Sequence, residues 1–158
     1  NGRTWDTAMT FAEAVASVSA AGGEIWLKQG TYTYAETINP SAAVVIRGGY
    51  AGLSGASPER PAGAKSTLSG EDAHDALTLA NVAPVTLERI VITRGLAHGL
   101  TKSAGAGSVT LVECEVRSNG AMLQNYNGSN SGRGLYFNTA GITPKPTLTV
   151  PPLTAWLS

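Results

Sequence analysis

An all-β solenoid, about four to five coils of short strands closed at one end by a helix, is the fold class that the sequence predicts. Two observations carry it: an apolar spacing that recurs along the chain, and turn residues that fall between the apolar segments. Val85 and Leu87, then Ile90 and Ile92, set the spacing. Val109 and Leu111, then Cys114 and Val116, repeat it, as do Leu148 and Val150, then Leu153 and Ala155. Within each pair the period is that of a strand with one buried face. The step between pairs would turn side chains outward if the strand ran straight. Bends at Glu88-Arg89, at Glu113 and its neighbour, and at Pro151-Pro152 restore the inward direction. Thr86, Thr110 and Glu115 then point out.

The first element is the helix. Thr10-Phe11-Ala12-Glu13 reads as a capping box, with Thr10 as N-cap and Glu13 as its reciprocal partner. Phe11, Ala14, Val15 and Val18 make one apolar stripe, and Gly22-Gly23 ends a helix over about residues 11–20. Short and rich in alanine, it must dock on something to persist. From Glu24 the chain turns to β. Glu24 to Leu27 is a strand, and Thr31 to Ile38 is a β-branched and aromatic run. Val44-Val45-Ile46 is a strand stopped by Gly48-Gly49. Residues 51–65, dense in Gly, Ala, Ser and Pro, read as a loop, after which Thr67-Leu68 and Leu77-Thr78-Leu79 resume the strands. A second polar excursion, Gln124 to Arg133, precedes Leu135-Tyr136-Phe137. Coil boundaries fall near Leu77, Leu100 and Leu135, with the excursions on the surface.

Composition sets outer limits. At 158 residues the chain reads as one domain, with a cap over 1–23 and coils over 24–158. A formal net charge of zero, with 14% charged residues, removes any global attraction to nucleic acid or anionic membrane. No apolar run approaches the roughly 20 residues of a membrane span. The 19 glycines and eight prolines punctuate turns, which fits an ordered β protein. The single cysteine excludes an intramolecular disulfide. The first residue is not Met, and the last apolar pair stops within a coil at Leu153 to Ser158; the expectation is a segment of a longer product.

Gly2-Arg3-Thr4-Trp5, the helix, Gly22-Gly23-Glu24-Ile25-Trp26-Leu27, Gly30-Thr31-Tyr32 and Ile46-Arg47-Gly48-Gly49-Tyr50 occur in an order that resembles one family opening. It is similar to the N-terminal cap and first coils of right-handed parallel β-helix proteins of the pectin-lyase-like superfamily, in particular bacterial secreted and cell-surface repeat proteins. The resemblance implies a right-handed parallel β-helix whose first helix plugs the open end of the stack. It also implies a secreted or cell-surface location in a bacterium.

Lyases and hydrolases of that fold use acidic clusters with calcium and a basic residue, or paired carboxylates. The densest acidic run here is Glu71-Asp72-Ala73-His74-Asp75, in which Asp72 and Asp75 are the candidate cation ligands. No second acidic cluster recurs one coil later, so a solvated turn is the simpler expectation. Arg94 and His98 flank Gly95 at a strand exit, where they could meet an acidic sugar or merely solubilise the surface. Asn119-Gly120 follows the second repeat where Arg94-Gly95 follows the first, and an inward asparagine there would hydrogen-bond along the stack. Cys114 takes the place of Ile90 and reads as a core thiol. Gly48-Gly49-Tyr50-Ala51-Gly52 lacks the Lys-Ser/Thr and helix of a phosphate loop, and Asn127-Gly128-Ser129 matches the glycosylation triplet only by composition. Trp26, Tyr32, Tyr34, Tyr50, Tyr126 and Tyr136 are the sugar-stacking candidates, with packing on core or cap expected for most.

Together these point first to a non-catalytic, adhesin-like or glycan-binding module. Its candidate ligand residues are His74, Asp75, Arg94, His98 and Tyr126. It has no catalytic residue and no cofactor. The alternatives are a polysaccharide lyase or glycoside hydrolase, for which alone calcium is expected, and a fragment with no activity of its own. The expected partner is a glycan or other cell-surface ligand, without nucleic acid or membrane insertion. Self-association through the C-terminal coils is also expected, because Leu148, Val150, Leu153, Trp156 and Leu157 need cover; the alternative is Trp156 folding back as a plug.

Overall fold

The computed structural model describes residues 5–52 and 59–120 with their side chains, and 133–137 and 148–149 as backbone strands. The calls on Tyr126, on the polar excursion over 124–132 and on the C-terminal residues from 150 onward, Trp156 included, lie outside the described residues. A 3-10 turn at Trp5–Thr7 leads into helix α1 (Phe11–Val18). Its capping box is complete: Thr10 N–H donates to Glu13 Oε2 at 2.8 Å, and Glu13 N–H donates to Thr10 Oγ1 at 3.3 Å. The Thr10 hydroxyl, which donates to Glu13 Oε2 at 2.7 Å, and then the Thr10 N–H hold the Glu13 carboxyl below its ordinary pKa. The helix stops at Val18 with Ser19 as C-cap, earlier than the glycine pair suggests. Gly22 serves the next step. Its φ is +76°, and a Cβ there would lie 2.7 Å from the Ala43 carbonyl, so only glycine lets the chain pass.

Strands β1 (Gly23–Lys28), β2 (Thr31–Tyr32), β3 (Thr37–Ile38), β4 (Val44–Tyr50), β5 (Ser66–Ser69), β6 (Leu77–Leu79) and β7 (Val85–Glu88) follow. Then come β8 (Ile90–Thr93), β9 (His98–Lys102), β10 (Val109–Val112), β11 (Glu115–Val116), β12 (Arg133–Phe137) and β13 (Leu148–Thr149). They form three parallel sheets: β1-β4-β7-β10-β13, β2-β5-β8-β11 and β3-β6-β9-β12. The chain therefore visits the sheets in rotation, and each strand pairs with the one three places on. That order is compatible with a solenoid. Val44, Val85 and Val109 are register partners, as are Ile46, Leu87 and Leu111. The three leucines read as coil boundaries, Leu77, Leu100 and Leu135, stand in register on β6, β9 and β12.

The two bends that fall on described residues lie where the spacing puts them. Arg89 and Glu113 carry φ of +53° and +51° between the first- and second-sheet strands, in the left-handed region that non-glycine residues seldom enter. One such residue turns the chain so that Leu87 and Ile90 both face inward. Stacked corners support each other: Arg89 N–H donates to Val112 O at 2.9 Å, and Arg89 Nε donates to Glu113 Oε2 at 2.7 Å. Asn119 bridges layers as an inward asparagine should, with Oδ1 accepting from Gly95 N–H at 2.8 Å and Nδ2 donating to Ile92 O at 3.2 Å.

Val85, Leu87, Ile90, Ile92, Val109 and Leu111 are buried in one core with Phe11 and Val15 of the helix. The latter two side chains contribute about 1.5–3 kcal/mol each, which is what docks a helix too short to stand alone. The Thr31 to Ile38 run turns a corner between sheets, giving β2 and β3, with Tyr34 edge-on to Phe11 at 5.5 Å. Two expectations need correction. The β4 strand is not stopped by Gly48-Gly49 but runs through them to Tyr50. Finally, Cys114 and Val116 pack against the core only half-buried, because β11 is the last strand of its sheet among the described residues. The Cys114 thiol still donates inward, to Leu87 O at 3.3 Å and Val112 O at 3.4 Å. Burial pushes its pKa up. Since the thiolate is the nucleophile, Cys114 is expected to react with a disulfide reagent at neutral pH far more slowly in the folded protein than in denaturant. Equal rates would contradict the inward orientation.

Candidate functional site

The outer face of the first sheet gathers the residues best suited to hold a ligand. Trp26 on β1, Arg47 on β4 and Glu88 on β7 are register partners, so their side chains form one outward row across adjacent strands. Glu24 precedes Trp26 by one strand period and shares its face. The bulge between β1 and β4 adds an aromatic. Lys28 pairs with Tyr50 although Trp26 pairs with Arg47, so β4 carries one residue more than β1 over this stretch. The extra residue is absorbed at Gly49, whose φ is +86°. The inserted residue reverses the alternation and brings the Tyr50 ring to the face of Trp26.

The result is a closed ring of interactions. Trp26 Nε1–H donates to Glu24 Oε2 at 2.9 Å. Arg47 Nη2 donates to Glu24 Oε1 at 3.0 Å, and its Nη1 lies 3.6 Å from Glu88 Oε2. Arg60 Nη1 donates to Glu88 Oε1 at 2.6 Å. The Arg60 guanidinium sits 4.9 Å from the Tyr50 ring centroid, and Tyr50 stacks on Trp26 at 5.1 Å with ring planes 19° apart. Arg60 is anchored from beneath, its Nε and Nη2 donating to Gly48 O at 3.1 and 2.9 Å. Trp5 leans on Tyr50 at 5.6 Å. Tyr50 is 4% exposed and its phenol pKa is raised, chiefly by that burial, whereas Trp26 keeps 45% of its surface in solvent. An exposed indole on a fixed aromatic base, bordered by acceptors and donors, is a surface prepared for contact.

Of the ligand candidates named from sequence, His74 and Asp75 lie on the corner after β5, Arg94 on the corner after β8 and His98 on β9, whereas Tyr126 lies outside the described residues. Asp72 turns a corner at φ +60°, and its Oδ2 accepts from Arg94 Nε and Nη2 at 2.9 and 2.7 Å. Asp75 faces the next strand instead, with Oδ1 accepting from His98 N–H at 2.8 Å and Oδ2 from the Thr101 hydroxyl. His74 Nδ1 lies 2.7 Å from the Asp75 carbonyl oxygen. Asp72 and Asp75 thus serve two different structural tasks. Among the described residues no group of three or more His, Cys, Asp and Glu is placed to hold a metal ion. Nor is any described helix long and apolar enough to cross a membrane.

Trp26 and Tyr50 were legible as stacking candidates, but Glu24, Arg47, Arg60 and Glu88 were not. The signal for Arg47 and Glu88 was present, because they occupy one repeat position with Trp26. Arg60 gave none, since it enters from the loop between β4 and β5. Searches of protein-family models, curated proteins and solved structures find no match to the chain, so the reading of this site rests on its own geometry.

Proposed function

We propose that this chain is a non-catalytic glycan-binding module of a bacterial secreted or surface protein. We take its fold to be a right-handed parallel β-helix of about four to five coils, with the Trp26 platform as its binding face. The observation that carries the reading is the half-exposed Trp26 stacked on a buried Tyr50 within a ring of polar side chains. A pyranose offers an apolar face of C–H groups and a rim of hydroxyls, which match an indole and its bordering Glu and Arg. Because Tyr50 and Arg60 already fix the indole, little side-chain entropy is lost on binding.

The test is affinity electrophoresis through gels cast with a panel of polysaccharides. Trp26→Ala is expected to weaken retention about tenfold or more, as removal of a central aromatic anchor does elsewhere. Retention unchanged by Trp26→Ala would remove the platform from the reading. Unsaturated products formed from pectate in the presence of calcium would replace it with the lyase alternative.

A further inference from the structure

We infer that the platform selects neutral sugars, recognising a hydroxyl pair beside an apolar pyranose face and rejecting sugars that carry a carboxylate. The inference rests on the glycan-binding reading and goes on to name the ligand's chemistry. An anionic sugar is ordinarily held by an arginine free to present a fork of donors. Neither arginine here presents an open fork. Arg47 is spanned by Glu24 at 3.0 Å and Glu88 at 3.6 Å, and Arg60 is spent on Glu88 and on the Gly48 carbonyl. A carboxylate ligand would have to displace one of the protein's own.

The charge nearest the stacking surface is also of the wrong sign for an acid. Glu24 Oε2 accepts the indole N–H of Trp26, which sets a carboxylate against the edge of the ring. Its side chain is 41% exposed, and that of Arg47 is 35% exposed. These are therefore the polar groups that solvent, or a ligand on Trp26, meets first. Side by side they offer one acceptor and one donor, the complement of two adjacent hydroxyls, of which one donates and the other accepts. A second carboxylate brought there meets the repulsion of Glu24 while both arginines stay paired with the protein's own carboxylates.

The experiment titrates intrinsic Trp fluorescence of the full chain with glucose-, galactose- and mannose-based tetrasaccharides and with the C6-oxidised, carboxylate-bearing form of each. At least one neutral member is expected to bind about tenfold tighter than its oxidised counterpart, and Trp26→Ala is expected to abolish the response. Glu24→Gln keeps the indole acceptor but removes the charge, and is expected to narrow the gap by strengthening binding of the oxidised sugar. Oxidised sugars that bind as tightly as neutral ones, through Trp26, would overturn the selectivity while leaving the glycan reading intact. No Trp26-dependent response to any of the sugars would overturn both.

Discussion

Replacing Lys102 with Ala is expected to lower the unfolding free energy by about 3–5 kcal/mol, read from urea denaturation. Lys102 ends β9 in register with Leu79 and is fully buried, so it stands where the repeat calls for an apolar side chain. Its ammonium is solvated by the chain itself: Nζ donates to Asn81 O at 2.9 Å, to Gly105 O at 2.7 Å, and to Ala104 O. Gly105 makes that cage possible, since at φ +78° a Cβ would lie 2.2 Å from Asn81 O. Truncation to Ala leaves a cavity and takes the ammonium from the Ala104 and Gly105 carbonyls, while Asn81 O keeps the Gly107 N–H at 3.1 Å. Lys102→Met fills the cavity and also removes a buried charge, and should cost about 1–3 kcal/mol. A Lys102→Met variant as stable as the wild type would show that the cage contributes nothing beyond volume.

The same residue gives a pH dependence of definite sign. Burial lowers the Lys102 pKa below its ordinary 10.5. Between the folded value and about 10.4 the unfolded chain holds the extra proton, so stability should rise with pH through that window. Tyr32, Tyr34 and Tyr50 oppose this from about pH 10 upward, because burial raises their phenols and stability falls once the unfolded tyrosines ionise. The difference between the wild-type and Lys102→Met curves isolates the lysine. It should grow as pH climbs toward the unfolded value.

Gly49→Ala is expected to cost about 2–5 kcal/mol and to weaken any Trp26-dependent ligand binding with it. The φ of +86° is strained for any side chain, and a Cβ there would lie 2.2 Å from the Ala64 carbonyl oxygen, which belongs to backbone and cannot swing aside. Relief requires β4 to shift away from the loop. The bulge that delivers Tyr50 to Trp26 would shift with it. Thermal unfolding measures the first effect and sugar-induced fluorescence change the second. A stable Gly49→Ala variant with normal binding would mean that the bulge does not position the ring.

The sequence revealed the core readily because burial on one face leaves a period. Val85, Leu87, Ile90 and Ile92 announce themselves, and so does the αL corner at Arg89, as the point where that period breaks. Positions decided by close approach were harder. Gly48 reads as a stop signal, yet it is the strand residue where a Cβ would meet Arg89 O at 2.5 Å, a contact between residues far apart in the chain. Lys102 reads as a surface charge because nothing local predicts carbonyls folding over it. The ligand platform was half legible: aromatic residues carry their meaning in their type, whereas the ion pairs that fix them depend on register between strands.

That register also separates what must stay constant from what is free to vary. A residue added inside β7 would either shift part of that strand against both β4 and β10 or have to bulge out, as β4 does at Gly49. A residue added at Gly63, where a Cβ would meet nothing within 4 Å, falls between β4 and β5 and changes only the length of an excursion. The fold thus works as a ruler with removable tabs. New surface can be grafted or lost at the excursions one at a time while the spacing of the rows, and with it the row that carries Trp26, Arg47 and Glu88, stays fixed.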